Sequence, residues 1–450
     1  MSTPSSDNQK SQQIDESDDI RTFIVCAPDA VGRLMGKSVD LRQWQSAVEE
    51  GMPMPDFHLA TDLTNTIQSG LAITGPHTGH PNGLLVPDLA TLRRLPWSPG
   101  VALVLSDVLS ADRAVIEQAP RQVLRRQVER LSAHGLNASV ATELEFYLFG
   151  ETYARANEMH HRELTPAVHQ QGDHDVLVEA RYAHFLSPLR ERMEALGYPV
   201  ISTLAEGGIG QLEVNFGHGA PMDTADGQVL FKFAAKALAA DLGLAVTFMA
   251  KWHDDQPGSS GHIHLSLTRV GSDVPVFDNA ADPDRLSDDA RAFLAGIVVH
   301  SADFALLHAP YVNSYRRLRA GSWVPQSNTW NVDDRGMFVR LLGRGQAGRL
   351  EFRYPGSDMN PYLSLAALIA AGLEGLEGGT ALPERGARPS AALLPVDLRD
   401  AVERFGQSEV ARRALGEAVH EHYERRGQHE LHQSEARVAD WERTRGFERA

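Results

Sequence analysis

The sequence predicts an α+β protein built around a curved sheet whose concave side carries the chemistry, and three observations predict it. Between Ser139 and Phe149 polar and apolar residues alternate. Successive side chains of a strand point to opposite faces, so Glu143, Glu145 and Tyr147 share one face while Leu144, Phe146 and Leu148 share the other. Three later segments repeat the pattern: Gln211, Glu213 and Asn215 alternate with Leu212, Val214 and Phe216; His262, His264 and Ser266 with Ile263, Leu265 and Leu267; and Arg349, Glu351 and Arg353 with Leu350, Phe352 and Tyr354. The third observation is a set of stretches with helical periodicity closed by glycine, which flank these strands.

In chain order, residues 1–19 are rich in Ser, Gln and Asp and read as a disordered tail without the apolar core of a signal peptide. Thr22–Cys26 reads as a buried strand, Gly32–Lys37 as a second after a turn, and Leu84–Asp88 and Val101–Leu105 as further short strands. These predict a small mixed domain over residues 20–112, followed by a catalytic domain over 113–450. Helices are expected over Glu117–His134, Ala180–Leu196 and Asp226–Leu242, stopped by Gly135, Gly197 and Gly243. A strand is expected at Ala245–Met249, a helix at Pro361–Leu376, and a charged helical region from Asp397 onward. Gln256–Gly261 is not a phosphate loop, because it opens a strand and lacks the Gly-Lys-Ser/Thr ending.

The net charge of −16 argues against a nucleic-acid partner, since no basic stripe is available to neutralise phosphates. The single cysteine, Cys26, sits in an apolar run and excludes an internal disulfide, which fits a reducing compartment. No stretch has the ~20 apolar residues of a membrane span, so a cytoplasmic protein without a membrane partner is expected. Two ionised carboxylates on one strand face repel each other unless a cation lies between them. Carboxylates with one or two imidazoles suit a hard ion, Mg²⁺ or Mn²⁺, better than zinc.

Read in order, Glu143-Leu144-Glu145-Phe146, Glu206 with Gly210-Gln211-Leu212-Glu213, Gly258-Ser259-Ser260-Gly261-His262-Ile263-His264, Asn313-Ser314-Tyr315-Arg316-Arg317-Leu318, Arg335 and Arg340, Arg349-Leu350-Glu351-Phe352-Arg353 and Asn360-Pro361-Tyr362-Leu363 resemble the glutamine synthetase superfamily, most like its glutamate–amine ligase branch. The resemblance covers roughly residues 20–380. It implies an N-terminal β-grasp domain, a catalytic domain with a curved antiparallel sheet flanked by helices, and a homo-oligomer of hexameric rings, often stacked as dodecamers, with sites between subunits. It implies ATP as phosphoryl donor, two or three Mg²⁺ or Mn²⁺ ions per site, and a γ-glutamyl phosphate that an amine attacks. Carried onto this chain, Glu145, Glu206 and Glu213 look like ligands of the ion on the glutamate side, and Glu143, His262 and Glu351 like ligands of the ion at the nucleotide phosphates. His264 and Ser266 look like nucleotide contacts, Gly258, Arg317 and Arg353 like contacts to the amino-acid substrate, and Arg335, Arg340 and Arg349 like the arginines facing the phosphoryl groups. Forked guanidinium donors match carboxylate and phosphate oxygens in pairs.

The chain departs from the family pattern on the flap. Ammonia-using members carry a glutamate six residues after the arginine corresponding to Arg317; here that position is Trp323. Asp62 is the candidate for the second carboxylate, which a neighbouring subunit supplies to the amine site. Leu204 replaces a histidine two residues before Glu206, and no tyrosine lies between Leu382 and Ala411, so regulation by adenylylation is not expected. The sequence therefore favours an ATP-dependent ligase joining glutamate to an organic amine such as ethanolamine, another monoamine or a polyamine. The alternatives are an ammonia-using glutamine synthetase and a non-catalytic structural or regulatory relative. His58, His218 and His253 match no family ligand and are read as ordinary histidines.

Overall fold

The computed structural model describes residues 19–319, 322–325, 327–386 and 394–449. All of the expected tail except Asp19, and Gly321 of the flap, lie outside the described residues. The first sheet contains β1 (Thr22–Pro28), β2 (Leu34–Asp40), β3 (Met52–Pro55), β4 (Asn82–Pro87), β5 (Arg93–Arg94) and β6 (Val101–Leu109). Its order is β2-β1-β6-β4-β3, with β5 also on β6; β1 and β6 run parallel and the other pairs antiparallel. Alternation along β1 places it between two cores. Phe23 and Val25 face the helix Leu41–Glu50, where Phe23 stacks on Trp44 at 4.4 Å between ring centroids. Ile24 and Cys26 face the second sheet's apolar side.

The second sheet contains β7 (Leu136–Phe149), β8 (Val200–Ala205), β9 (Gln211–Phe216), β10 (Ala245–Thr247), β11 (Gly261–Arg269), β12 (Trp330–Val332), β13 (Val339–Leu342) and β14 (Arg349–Phe352). Its order is β12-β13-β14-β11-β7-β9-β8, with β10 also on β7. All four segments singled out by alternation are adjacent members of it. The expected antiparallel arrangement needs one correction: β12 and β13 pair in parallel. Leu144, Phe146 and Leu148 enter one core with the helices Ala183–Ala195 and Pro221–Asp241, and the Phe146 ring lies 6.2 Å from Phe185, 6.0 Å from Phe231 and 5.4 Å from Phe248.

Prolines shifted two helix starts from the expected positions. The expected helix at Glu117 begins instead at Pro120, and that at Asp226 begins earlier, at Pro221. Proline fits the first helical position and holds the preceding residue extended, as Ala119 and Ala220 are. The helix expected from Ala180 begins at Ala183 and runs to Ala195, and a separate short helix, Val176–Ala180, precedes it. Asp288–His300 is a helix the sequence reading did not anticipate; it packs on the almost wholly buried helix Pro361–Gly378. Buried Arg121 ties the two sheets' supports together, reaching Asp88 at 2.9 Å, Asp107 at 3.2 Å and Asp226 at 3.0 Å. No helix of the described residues is long and apolar enough to cross a membrane.

Candidate active site

Strand register assembles the site. Across β7 and β9 Glu145 stands opposite Glu213; across β11 and β7 His262 stands opposite Glu143; across β11 and β14 His264 stands opposite Glu351; and across β13 and β14 Arg340 stands opposite Glu351. All these residues therefore share one face of the sheet. Two trios result, each with one ligand atom per residue lying within 4.8 Å of the others: Glu143, His264 and Glu351, and Glu145, Glu206 and Glu213.

The first trio is surrounded by donors. His264 Nε2 lies 2.8 Å from Glu143 Oε1, while His262 Nδ1 lies 3.2 Å from Glu143 Oε2 and 3.7 Å from Glu351 Oε1. Arg340 donates to Glu351 Oε2 at 3.0 Å, Arg353 donates to Glu351 Oε1, and Arg349 Nε donates to His264 Nδ1 at 3.2 Å. Burial alone would raise both carboxyl pKa values. For Glu143 the hydrogen bonds from His262 and His264 outweigh burial, and for Glu351 the charges of His262, Arg353 and His264 do, so both are held below the usual carboxylate range.

The hydrogen bonds to the second trio come from neutral groups. Glu145 accepts from Gln211 Nε2 at 3.0 Å and from Ser260 N at 2.8 Å, and Ser260 Oγ donates to its other oxygen; Glu213 accepts from Asn215 Nδ2 at 3.0 Å. Burial, followed by the charges of Glu143, Glu145 and Glu206, pushes Glu213 up to about 9. Burial and then Glu145 push Glu206 up to about 7. Converging carboxylates that cannot all ionise beside one another fit a hard divalent cation, whose charge removes the conflict.

A cleft of about 1080 Å³ runs from Glu143 and His264 past Ser266 and Arg349 to Ile201, Phe216 and His218, ample for a nucleotide-sized ligand. His218 reaches it because Val140 and Gly219 exchange backbone hydrogen bonds of 2.8 and 2.9 Å, which brings its Nδ1 to 2.9 Å from Ser139 Oγ. His218 lies beyond the end of β9, so alternation could not have marked it.

Residues 117–446 match the family model for the glutamine synthetase catalytic domain. The chain belongs to the glutamine synthetase family. It is 39% identical over 436 residues to gamma-glutamylethanolamide synthetase of Streptomyces coelicolor, covering 96% of this chain and 93% of that one. It is 32% identical over 444 residues to glutamate–isopropylamine ligase of a Pseudomonas species, covering 96% and 95%. A solved structure of GmaS in complex with ADP superposes with a TM-score of 0.83 at 27% identity, covering 95% of this chain and 97% of that one. The chain is thus a glutamine synthetase family glutamate–amine ligase that depends on ATP and divalent metal ions.

Within this synthetase the sequence-derived residues separate into groups. Five of the six expected metal ligands fall into the two trios; the histidine of the first trio is His264, expected at the nucleotide, in place of His262, and it stands 2.8 Å from Glu143 against 3.2 Å for His262, because residues two apart on β11 share a face. Ser266 lines the cleft and donates to Gly348 O at 2.8 Å. Arg317 is buried, which lowers its pKa to about 10, and it donates to Tyr354 O at 2.8 Å and Arg353 O at 3.3 Å. Gly258 is where that side chain passes: a Cβ there would lie 2.6 Å from Arg317 Cγ. Among the described residues, Arg335, Trp323 and Asp62 make no hydrogen bond or ion pair to either trio. Arg335 is exposed in the turn between β12 and β13. Trp323 stands 82% exposed after the short helix Ser314–Arg317, so its ring is available to a ligand. Asp62 Oδ1 accepts from Thr64 N at 2.8 Å and Thr66 N at 2.9 Å, which with the Thr64 hydroxyl outweigh burial and hold its pKa low. His58 is buried against Pro55 O and His253 is exposed, as expected of ordinary histidines.

Proposed function

We propose that the enzyme condenses glutamate with a small organic amine, ethanolamine or another monoamine or polyamine, and that ammonia is a poor substrate. The observation that carries this reading is Trp323, exposed on the flap where ammonia-using members carry a carboxylate. An indole accepts no proton, yet it offers apolar area to an amine's carbon chain and a π face to its cationic head, worth about 0.5–2 kcal/mol. The relatives named for ethanolamide and isopropylamine products support the same reading.

In this reading Arg317, Arg353 and Gly258 bind glutamate, Arg335, Arg340 and Arg349 face the phosphoryl groups, and His264 and Ser266 contact the nucleotide. Glu145, Glu206 and Glu213 hold one Mg²⁺ or Mn²⁺ and Glu143, His262 and Glu351 another, with two or three ions per site. Bound divalent ions would supply charge neutralisation at the transferring phosphoryl group. A γ-carboxylate oxygen of glutamate attacks the terminal phosphorus of ATP and ADP leaves. The amine, once its ammonium form has given up a proton, attacks the acyl carbon through nitrogen, phosphate leaves, and the nitrogen loses a second proton to give the amide. Trp323 covers the amine, and Asp62 reaches the site from a neighbouring subunit of a hexameric or dodecameric assembly. We further propose that residues 20–112 form the β-grasp domain and 113–450 the catalytic domain, and that the enzyme works in the cytoplasm.

The test is steady-state phosphate release with glutamate, ATP and Mg²⁺ over ammonium, ethanolamine, isopropylamine and polyamines, with products identified by mass spectrometry. At least one organic amine should exceed ammonium in kcat/KM by about tenfold or more, and Trp323→Ala should lower that amine's value while KM for ATP changes little. Ammonium turned over as well as every organic amine, with glutamine as product, would overturn the reading.

A further inference from the structure

A segment that the reading above does not use lies against the second trio. Asp173 N donates to Glu206 O at 3.0 Å and His174 N to Ala205 O at 2.8 Å, so residues 173–174 are tied to the main chain of a trio member. Gly172 permits this approach: a Cβ there would lie 2.3 Å from the Ala205 Cβ. On the far side Asp175 caps the helix Val176–Ala180 by accepting from Leu177 N at 2.8 Å. Asp173 and His174 both adopt left-handed backbone, with φ of 41° and 70°, a conformation that disfavours side chains and persists where the surroundings enforce it. Their side chains are 71% and 72% exposed, lie 3.4 Å apart, and act with opposite sign on the Glu206 charge. The result is an exposed carboxylate on a backbone anchored to Glu206 and Ala205, 3.4 Å from an imidazole.

We propose that Asp173, positioned by His174, binds the ammonium head of the amine substrate at the rim of the Glu145–Glu206–Glu213 site and so selects amines that arrive as cations. The proposal rests on the function given above. At neutral pH an aliphatic amine is protonated, and a site holding divalent ions and arginines repels it. A carboxylate at the entrance offsets that field and raises the local concentration of the cation. The flap cannot do so here, because residue 323 is an uncharged tryptophan. Asp173 therefore supplies charge for capture while Trp323 supplies apolar area and a π face.

The experiment measures kcat and KM for the full chain with ethanolamine and isopropylamine, which are cations at neutral pH, and with hydroxylamine, which is not. The variants are Asp173→Asn, Asp173→Glu and His174→Gln. Asparagine tolerates left-handed backbone as aspartate does, so the first variant removes charge with little change in shape. KM for the cationic amines should rise about tenfold or more in Asp173→Asn, with hydroxylamine, ATP and glutamate affected less than about threefold. Asp173→Glu should recover most of the loss, and His174→Gln should shift amine KM in the same direction by less. Equal losses with hydroxylamine and the cations would make the segment a structural support and overturn the proposal, as would an unchanged amine KM. A wild type that prefers ammonium to both organic amines overturns the function proposed above instead; ammonium then serves as the cation in the Asp173 comparison.

Discussion

Glu143 and Glu145 stand two residues apart on the same face of β7, yet their neighbourhoods are opposite. Around Glu143 and Glu351 the sheet gathers two imidazoles and the guanidinium groups of Arg340 and Arg353, and both carboxyl groups are held low. Around Glu145, Glu206 and Glu213 it gathers neutral amide, hydroxyl and backbone donors, and Glu206 and Glu213 are pushed up. The partner strands decide this. On one side β7 borders β11, which in turn pairs with β14, and their polar faces carry His and Arg; on the other it borders β9, whose polar face carries another Glu. The first trio is close to self-compensated, whereas the second would need an ion to complete it. The two are thus expected to diverge in stability without metal and to agree in activity with it.

The largest expected effect is on turnover, where the comparison should vanish. Glu143→Ala, Glu351→Ala and Glu213→Ala should each lower phosphate release by about 10³-fold or more with Mg²⁺ present, with the far-ultraviolet circular dichroism of the wild type retained. Near wild-type turnover in any of them would remove that residue from the metal sites.

Stability in EDTA should separate the trios. Glu351→Gln leaves Arg340, Arg353 and His262 facing a neutral amide in a buried setting, so urea unfolding should show a loss of about 3 kcal/mol. Glu213→Gln replaces a carboxyl that must take up a proton to fold beside Glu145 and Glu206, and should leave stability unchanged or higher by up to about 1 kcal/mol. Losses of the same size in both would mean that the second trio is compensated without an ion. Adding Mg²⁺ at about one hundred times its dissociation constant should stabilise the wild type by about 2.7 kcal/mol per site, and Glu213→Gln should forfeit the second trio's share.

Much of this contrast was legible in the sequence, because it rests on strand parity. A strand's period of two places Glu143, Glu145, Glu213, His262 and Glu351 on one face without tertiary information, and every one of them is there. Register was not legible. Whether His262 or His264 meets Glu143 depends on how β11 slides against β7, and the structure lets both do so. Short elements that owe their form to packing were missed as well: the three-residue β12 and its parallel pairing with β13 have no local signature. Off-strand residues such as His218 and Asp173 are brought in by pairs of backbone hydrogen bonds between segments distant in sequence, which no periodicity records.

The smallest effect removes a background that would blur the contrast at low pH. His308 is fully buried, shares a hydrogen bond with Ser364 Oγ at 2.8 Å, and packs its ring 4.8 Å from that of Phe352. Burial pushes its pKa down from 6.5 to about 3. Between those values the unfolded chain binds a proton that the folded chain does not, so unfolding takes up a proton and stability falls as pH falls. Its contribution is fully present above pH 6.5 and is lost as pH drops toward about 3. From pH 6.5 to 5 this loss amounts to about 2 kcal/mol. His308→Asn keeps a polar atom near the Nδ1 position without the titration, so its stability in EDTA should fall less than the wild type's over that interval by about the same amount. Parallel acid limbs in the two proteins would show that His308 does not drive the loss, and the pH dependence would then have to be sought in the trios themselves.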